Sequence, residues 1–170
     1  MKDHISEQAD LISFGNGRSC GDASLQNTVI KTRRFNSLIS FDDEKGMLHC
    51  QSGVLIEEIL SVFVPKGWFM PVTPGTKFIT IGGAVAADIH GKNHHLDGSF
   101  SNYIYELEVM KADGSIIKCS KEKQKRNIWL LPSNKPFHLH LALNHIYIYQ
   151  WEALTMHWYK LYLKIQTHPL

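Results

Sequence analysis

The first two-thirds of the chain consist of short apolar runs separated by turn residues. Residues 11–14 form one such run that leads directly into glycines, and residues 28–31 form another. Both are typical of short strands. The apolar runs at 36–41 and 47–51 flank the polar segment 42–46, which predicts a β-hairpin.

Two segments have the spacing or composition of helices. In residues 54–63 the apolar side chains recur three and four positions apart, while Glu57 and Glu58 fall on the opposite, wet face. Gly67 is placed to end this helix. The segment 81–87 is rich in glycine and alanine, which predicts a second helix that packs closely against its surroundings.

A second hairpin is predicted further along the chain. Residues 104–111 alternate approximately between apolar and polar side chains, the turn sequence Ala-Asp-Gly occupies 112–114, and residues 115–119 can return as the partner strand. Short strands, hairpins and few helices together predict an α+β fold up to residue 121.

The composition of the chain changes beyond this point. All twelve glycines lie before residue 115, and residues 124–170 hold five basic side chains, one acidic side chain and half of the ten histidines. Local features of this tail disagree with one another, which argues against a well-specified fold. We therefore expect a domain over residues 1–121 and a divergent, poorly ordered tail over residues 122–170, with the gene truncated or its reading frame disrupted near Lys123.

The whole-chain composition argues against several classes of protein. The formal net charge of +2 gives no reason to expect nucleic acid or an anionic membrane as a partner. We expect neither a signal peptide nor a membrane helix, which needs roughly 18 apolar residues. The three cysteines, Cys20, Cys50 and Cys119, are odd in number and lack metal-site spacing. They predict reduced thiols and a cytoplasmic protein.

The first candidate site is the sequence GNGRSCGD at residues 15–22. Its three glycines let backbone amides approach a ligand, and Arg18 adds a fork of donors suited to a diphosphate. The spacing G-x-G-x-x-x-G differs from the dinucleotide fingerprint G-x-G-x-x-G, and the Lys-Ser/Thr pair of a Walker loop does not follow. These residues alone leave a phosphate-binding loop and an ordinary glycine-rich loop both open.

The second candidate site is PGTKFITIGGAVAADIHGKNHH at residues 74–95. Its TIGGA stretch would open the predicted helix of small residues, so the free amides of the first turn would face an anion. Residues 88–95 then bring an acid, three imidazoles, a lysine and an amide together, and GSF closes the segment at 98–100. Such a density of titratable groups beside glycines is typical of a functional site.

Together the two motifs resemble the FAD-binding domain of the vanillyl-alcohol oxidase superfamily, which has the PCMH-type fold. The sequence IHGKNHH in particular resembles the decaprenylphosphoryl-β-D-ribose 2′-oxidase group of FAD-linked oxidoreductases, and the likeness covers residues 11–119. It implies that FAD lies, non-covalently held, between two small α+β subdomains, and that a separate later domain binds substrate. Against that pattern we expect the domain to be incomplete at both ends.

The resemblance implies roles for residues of both motifs. The cofactor-binding residues implied in the first motif, chiefly at the FAD diphosphate, are Gly15, Gly17, Arg18, Ser19, Cys20, Gly21 and Asp22. Those implied in the second, at the pyrophosphate and ribityl chain, are Gly75, Thr80, Ile81, Gly82 and Gly83. Ile89 and His90 would lie near the flavin ring, and Lys92 would face the sugar substrate. Lys92 and His90 are therefore the candidate catalytic residues.

The activity that the resemblance implies is transfer of a hydride from a sugar carbinol carbon to FAD, which yields a keto-sugar. In intact relatives the substrate would be a sugar or a polyprenyl-phosphate sugar. We expect this chain to be inactive alone, because it lacks the substrate domain. Two alternatives remain: a non-catalytic remnant that binds FAD or a partner protein, and a nucleotide- or phosphate-binding domain of unrelated function.

Histidine pairs could indicate a metal site, yet we predict none. The adjacent His94 and His95 would point to opposite faces of a strand and lack an obvious third ligand. His138 and His140 lie in the divergent tail, where chance explains their spacing. Tail aromatics such as Trp151 lack a clean apolar face, so membrane association is not expected either.

Overall fold

The architecture is α+β, as predicted. The computed structural model describes residues 11–19, 21, 24–110, 115–120, 142–148 and 152–153. Helices and small sheets share this part of the chain. No helix among the described residues is long and apolar enough to cross a membrane. The domain boundary at residue 121 stays a prediction.

The described strands fall into three sheets. Their bounds are β1 Leu11–Phe14, β2 Thr28–Lys31, β3 Leu38–Asp42, β4 Met47–Cys50, β5 Trp68–Phe69, β6 Ile104–Met110, β7 Ile116–Ser120, β8 Ala142–Ile148 and β9 Glu152–Ala153. β1 and β2 pair in parallel. The five-stranded sheet has the order β3-β4-β8-β6-β7, and β5 pairs with β9.

Both predicted hairpin pairings are confirmed. β3 and β4 pair antiparallel with Asp42 opposite Met47, and β6 and β7 pair antiparallel with Met110 opposite Ile116. The turn predicted at 112–114 lies outside the described residues. β8 lies between β4 and β6, antiparallel to both. This strand was not predicted, because it falls where the local sequence features conflict.

Helix α1 spans Ile56–Phe63, inside the predicted range 54–63. Its buried side chains, which recur at helical spacing, are Ile56, Ile59 and Phe63. The amide of Leu55 donates to Oε2 of Glu58 over 2.7 Å, so a first-turn carboxylate closes the N-terminus. A 3₁₀ turn follows the helix and ends at Gly67, whose φ of 83° favours glycine.

Helix α2, Ile81–Ala86, confirms the helix predicted at 81–87. Thr80 is its N-cap: the side-chain Oγ1 accepts a hydrogen bond from the amide of Gly83 over 3.1 Å. The buried side chains of this helix are Ile81, Ala84 and Val85. The second glycine motif is therefore anchored in the interior by its own helix.

Side chains of α1, α2, β4 and β6 form the hydrophobic core together with the segments between them. The largest fully buried side chains are Phe100, Leu48, Ile56, Ile59, Met70, Ile81, Ile104, Leu107, Val54 and Val72. Burial of such side chains is the main favourable term in folding. Because Ile81 and Phe100 belong to it, the core fixes both ends of the segment that carries the predicted catalytic residues.

A short helix, α3, spans His94–Asp97. The expectation that His94 and His95 lie on a strand is therefore wrong. The amides of Leu96 and Asp97 both donate to the carbonyl of Asn93, at 2.9 and 3.0 Å, and these bonds wind the segment into a turn of helix.

The thiols of Cys50 and Cys119 are buried. Burial raises the pKa of the Cys50 thiol to about 12, so it stays protonated and unreactive at neutral pH. Cys20 lies outside the described residues. The cytoplasmic location inferred from the cysteines stays a prediction.

Candidate functional site

The two glycine-rich motifs lie against each other in the structure. A Cβ atom on Gly15 would stand 2.6 Å from Oγ1 of Thr80, so the close approach requires glycine. Nδ2 of Asn16 also donates a hydrogen bond to the carbonyl oxygen of Phe78 over 2.8 Å, across 62 positions of sequence. The fold thus brings the two predicted sites together at one junction.

The first motif presents its backbone to solvent. Gly17 and Gly21 both have φ of 61°, a left-handed conformation that favours glycine. The exposed residues of this loop are Gly17, Arg18, Ser19 and Gly21. Two further predicted site residues, Cys20 and Asp22, lie outside the described residues.

Two cationic side chains lie near one exposed aromatic ring beside the junction. The guanidinium carbon of Arg18 lies 5.7 Å from the ring centroid of Phe78, and Nζ of Lys77 lies 5.4 Å from the same centroid. Both distances are within the range of cation–π attraction. Nζ of Lys77 also pairs with Oε1 of Glu57 at 2.7 Å, which offsets part of its charge. Arg18 is therefore the principal cation at the junction.

The first turn of α2 has its amides bonded within the protein. The amide of Ile81 donates to the carbonyl of Val54 over 2.8 Å, and the amide of Gly82 donates to the carbonyl of Ser52 over 2.7 Å. The amide of Gly83 donates to the N-cap side chain. The expectation that these amides are free to face an anion is therefore wrong, because a neighbouring antiparallel segment takes up the first two donors.

Space for a ligand remains around the glycines themselves. A Cβ atom on Gly75 or on Gly21 would meet no described atom within 4 Å, and one on Gly83 would stand 3.2 Å from Oγ1 of Thr80. Gly75 and Gly83 are exposed and Gly82 is partly exposed. The backbone at these glycines is therefore accessible from outside the protein.

A salt bridge behind the second motif was not predicted. Arg33 donates two hydrogen bonds to the carboxylate of Glu58, at 2.8 and 3.1 Å, and a further one to the carbonyl of Gly53. Gly53 separates the two carbonyls that accept from α2, so the salt bridge fixes the segment that holds this helix. The Arg33 hydrogen bonds hold the pKa of Glu58 below its usual value, against partial burial. The partners are 25 positions apart, and no local sequence signal joins them.

The residues predicted near the flavin ring follow the C-terminal end of α2. Ile89 is half-buried against the core, and its amide donates to the carbonyl of Ala84 over 3.1 Å. His90 and Lys92 are exposed. The six residues of α2 rise about 9 Å at 1.5 Å per residue. The helix therefore separates the glycine junction from the segment that carries these two side chains.

The imidazole rings of three histidines lie in sequence along that segment. The ring centroids of His90 and His94 are 5.3 Å apart, and those of His94 and His95 are 5.9 Å apart. Within the part of the chain that the structure describes, no group of three or more histidines, cysteines or carboxylates could hold a metal ion. Lys92 and the three histidines are all exposed, so this segment presents hydrogen-bonding groups and one lysine to solvent.

Comparison with protein families decides what kind of domain this is. Residues 5–120 match the model of the FAD binding domain family, and this range includes both glycine motifs and the histidine segment. The chain belongs to the FAD binding domain family. The resemblance to the PCMH-type fold of flavin oxidoreductases, inferred from the two motifs, is thereby confirmed.

Relatives of this FAD binding domain include enzymes named for different substrates. The chain is 38% identical over 109 residues to decaprenylphosphoryl-β-D-ribose oxidase of Mycolicibacterium smegmatis, which covers 62% of the chain and 24% of that protein. It is 35% identical over 100 residues to mitochondrial D-2-hydroxyglutarate dehydrogenase of Rattus norvegicus, which covers 58% of the chain and 19% of that protein. The chain therefore spans about a quarter or less of the length of these relatives.

A solved structure shows the same fold. The crystal structure of 6-hydroxy-D-nicotine oxidase from Arthrobacter nicotinovorans superposes with a TM-score of 0.70 at 18% identity. The match covers 85% of the present chain and 31% of the oxidase. At this identity the likeness concerns the fold, and it confirms the PCMH-type architecture.

The residues of the FAD binding domain fit its cofactor at the junction. A dinucleotide cofactor needs close backbone approach and a positive partner for its diphosphate. No described atom lies within 4 Å of a Cβ atom built on Gly75 or Gly21, which fits the first need, and the exposed Arg18 fits the second. The amides of Ile81 and Gly82 in the first turn of α2 are bonded to carbonyls of the protein, so they are not free donors for a ligand.

Proposed function

We propose that the chain binds FAD non-covalently across the junction of its two glycine motifs. The observation that carries the proposal is the contact of Gly15 with Thr80, which joins the motifs into one surface with exposed glycines on both sides. The family assignment supports FAD as the ligand, since the matched residues include both motifs.

The diphosphate would lie between the loop of the first motif and the start of the second. The residues proposed in the first are Gly15, Gly17, Arg18, Ser19, Cys20, Gly21 and Asp22. Those proposed in the second are Gly75, Thr80, Ile81, Gly82 and Gly83. Because the amides of the first turn of α2 are already bonded, the second motif would contribute close backbone approach at Gly75 and Gly83, while Arg18 would contribute charge.

The flavin ring would lie further along α2, beside Ile89 and His90. The rise of this helix suits a cofactor whose diphosphate and ring are separated by a ribityl chain. Ile89 would give the ring an apolar neighbour that the core holds in place. When bound, FAD supplies the acceptor for a hydride.

The reaction we propose is oxidation of a sugar hydroxyl to a ketone, in which the carbinol carbon would lose a hydride and the hydroxyl oxygen would lose a proton to a general base. Lys92 would orient the hydroxyl or stabilise negative charge that develops on its oxygen. His90 would accept or donate a hydrogen bond at the same oxygen. Two relatives with this domain are named decaprenylphosphoryl-β-D-ribose oxidase and D-2-hydroxyglutarate dehydrogenase, and each name refers to a compound that has a CH–OH group. Since the chain spans at most 24% of these two relatives, we propose that it does not turn over substrate alone.

Equilibrium dialysis of the purified chain against FAD tests the cofactor proposal. Wild type is expected to retain FAD, and Gly82→Val is expected to lose it, because a β-branched side chain would obstruct the approach of the cofactor to α2. Lys45→Ala is the matched control, since Lys45 forms a surface ion pair with Asp42 in the first hairpin. Full FAD retention by Gly82→Val, with folding confirmed by circular dichroism, would overturn the placement of the diphosphate.

A non-catalytic remnant that binds FAD or a partner protein is the second candidate. Competition between FAD and ADP separates both candidates from a general nucleotide-binding domain. A member of this family should prefer FAD strongly, because contacts would run along the whole cofactor, whereas equal affinity for ADP would favour the general domain.

A further inference from the structure

Asp88 holds an unusual backbone conformation at the end of α2. Its φ is 41°, and it is the one non-glycine residue of positive φ among the described residues. Residues in this region of conformational space are strained and persist only where surrounding contacts determine them. The hydrogen bonds of the Asp88 side chain therefore indicate which part of the structure the strained backbone serves.

Both carboxylate oxygens of Asp88 accept hydrogen bonds from a segment more than ten positions away. Oδ2 accepts from the hydroxyl of Ser99 over 2.8 Å, and Oδ1 accepts from the backbone amide of Ser101 over 2.9 Å. The amide of Phe100 donates to the carbonyl of Ile89 over 2.8 Å, which adds a backbone hydrogen bond between the same two segments. The carboxylate thus closes the base of the segment between residues 89 and 98, which we call the histidine loop.

The far side of the histidine loop is tied separately. Nδ2 of Asn93 donates to the carbonyl of Pro71 over 3.0 Å and to Oδ2 of Asp97 over 2.6 Å. A Cβ atom on Gly91 would stand 2.9 Å from the carbonyl oxygen of Thr73, so the loop also packs closely against the segment that contains Thr73. His90 and Lys92 lie between these ties, and both are exposed.

We propose that Asp88 is a positioning residue for the flavin site. Its carboxylate accepts hydrogen bonds from Ser99 and Ser101. It would therefore act on the flavin site indirectly, by holding the two ends of the histidine loop together. It would set the place of Ile89, His90 and Lys92 relative to the ring that these residues are proposed to border. The inference rests on the proposed function, because it concerns the same site.

The test compares Asp88→Ala with Asp88→Asn in the full chain. Alanine removes both acceptors, whereas asparagine keeps one acceptor oxygen and tolerates the left-handed conformation. Hydrogen exchange of the Ser101 amide is expected to accelerate about tenfold or more in the alanine variant, since a hydrogen bond to an ionised group contributes at least that factor to an equilibrium constant. Asparagine is expected to restore most of the protection.

Bound flavin provides the second measurement. Asp88→Ala is expected to weaken FAD affinity several-fold and to shift the visible flavin bands, and Asp88→Asn is expected to restore both. Asp42→Ala is the matched control, because Oδ1 of Asp42 likewise accepts a backbone amide, that of Lys45 over 3.0 Å, in a hairpin outside both motifs. It should leave the flavin bands unchanged.

The outcomes distinguish a failure of the role inferred for Asp88 from a failure of the proposed FAD binding. Unchanged exchange at Ser101 in Asp88→Ala would overturn the anchor, whether or not FAD binds. Faster exchange with wild-type FAD affinity and spectrum would overturn the positioning role and leave a structural one. Failure of the wild type itself to bind FAD would overturn the proposed function, and with it the flavin role of Asp88. If Asp88→Ala does not fold, Asp88→Gly removes the acceptors without the strain and is measured in its place.

Discussion

The contact between Gly15 and Thr80 gives a quantitative test of the site geometry. Gly15→Ala would place a Cβ atom 2.6 Å from Oγ1 and 3.3 Å from Cγ2 of Thr80. Overpacking of this kind costs about 1–3 kcal/mol. Thr80→Ala removes the N-cap of α2, which costs about 1 kcal/mol. Each single variant should therefore be less stable than the wild type.

The double variant should recover much of this loss. With alanine at position 80, the nearest remaining atom of that residue is its own Cβ, 3.6 Å from the new methyl group, which is an ordinary van der Waals contact. Gly15→Ala should then be close to neutral or slightly stabilising, since alanine restricts the unfolded chain. The coupling free energy between the two positions is expected to be about 1–3 kcal/mol, within the range measured for residues in contact.

Urea denaturation of the four proteins measures this coupling from the midpoints at constant slope. Gly75→Ala is the control, because its Cβ atom would meet no described atom within 4 Å and should not destabilise the fold. Additive free energies, within about 0.5 kcal/mol, would show that the two glycine motifs do not touch as described.

Further predictions concern the supports of the site. Glu58→Gln should destabilise the chain by about 1 kcal/mol, a value reduced because the Arg33–Glu58 pair is partly exposed, and urea midpoints measure it. The folded pKa of Glu58 lies below its ordinary value of 4.5, so this contribution is present above pH 4.5 and is lost as the pH falls through the lowered pKa. The urea midpoints of the wild type and of Glu58→Gln should therefore converge in acid. A difference in midpoint that stays constant with pH would contradict the assignment. Gly53→Ala should prevent stable folding, because its Cβ atom would stand 2.6 Å from the carbonyl oxygen of Phe35; a native-like circular dichroism melt would argue against that packing. The thiol of Cys50 should react with a thiol reagent only on unfolding, given burial and a pKa of about 12, and rapid labelling of the native chain would contradict this.

Local patterns in the sequence predicted the elements that carry the motifs. Apolar runs bounded by turn residues correctly indicated β1, β2 and both hairpins, because strand pairing between neighbours depends on local turn chemistry. Helical spacing indicated α1, and small residues after Thr80 indicated α2. The family followed from motif residues rather than from periodicity.

Features that depend on distant partners could not be predicted in this way. The amides of α2 were expected to be free, yet Ser52 and Val54 accept two of them, and this pairing is set by the tertiary fold. The support of Glu58 by Arg33 joins residues 25 positions apart. His94 was expected on a strand, but turn bonds to Asn93 place it in a helix. Neither the pairing of the α2 amides nor the Arg33–Glu58 salt bridge has a signature within a short window of sequence. The turn at Asn93 is local, and there the sequence was misinterpreted.

The site residues themselves stay predictions, although the structure gives their arrangement. It brings Gly15 to Thr80 and places Arg18 beside Phe78 at the same junction. It places His90 and Lys92 on an exposed loop beyond α2. A role for Asp88 could not have been inferred from its sequence position, because its significance lies in a backbone angle and two distant hydrogen bonds.

The measurement that tests the central claim most directly is the visible absorption spectrum of the purified chain after incubation with excess FAD and desalting. If the two glycine motifs form a working cofactor site, the protein should keep the absorbance bands of oxidised flavin in proportion to its concentration. A protein that stays colourless while circular dichroism shows it to be folded would contradict the proposal that this chain binds FAD.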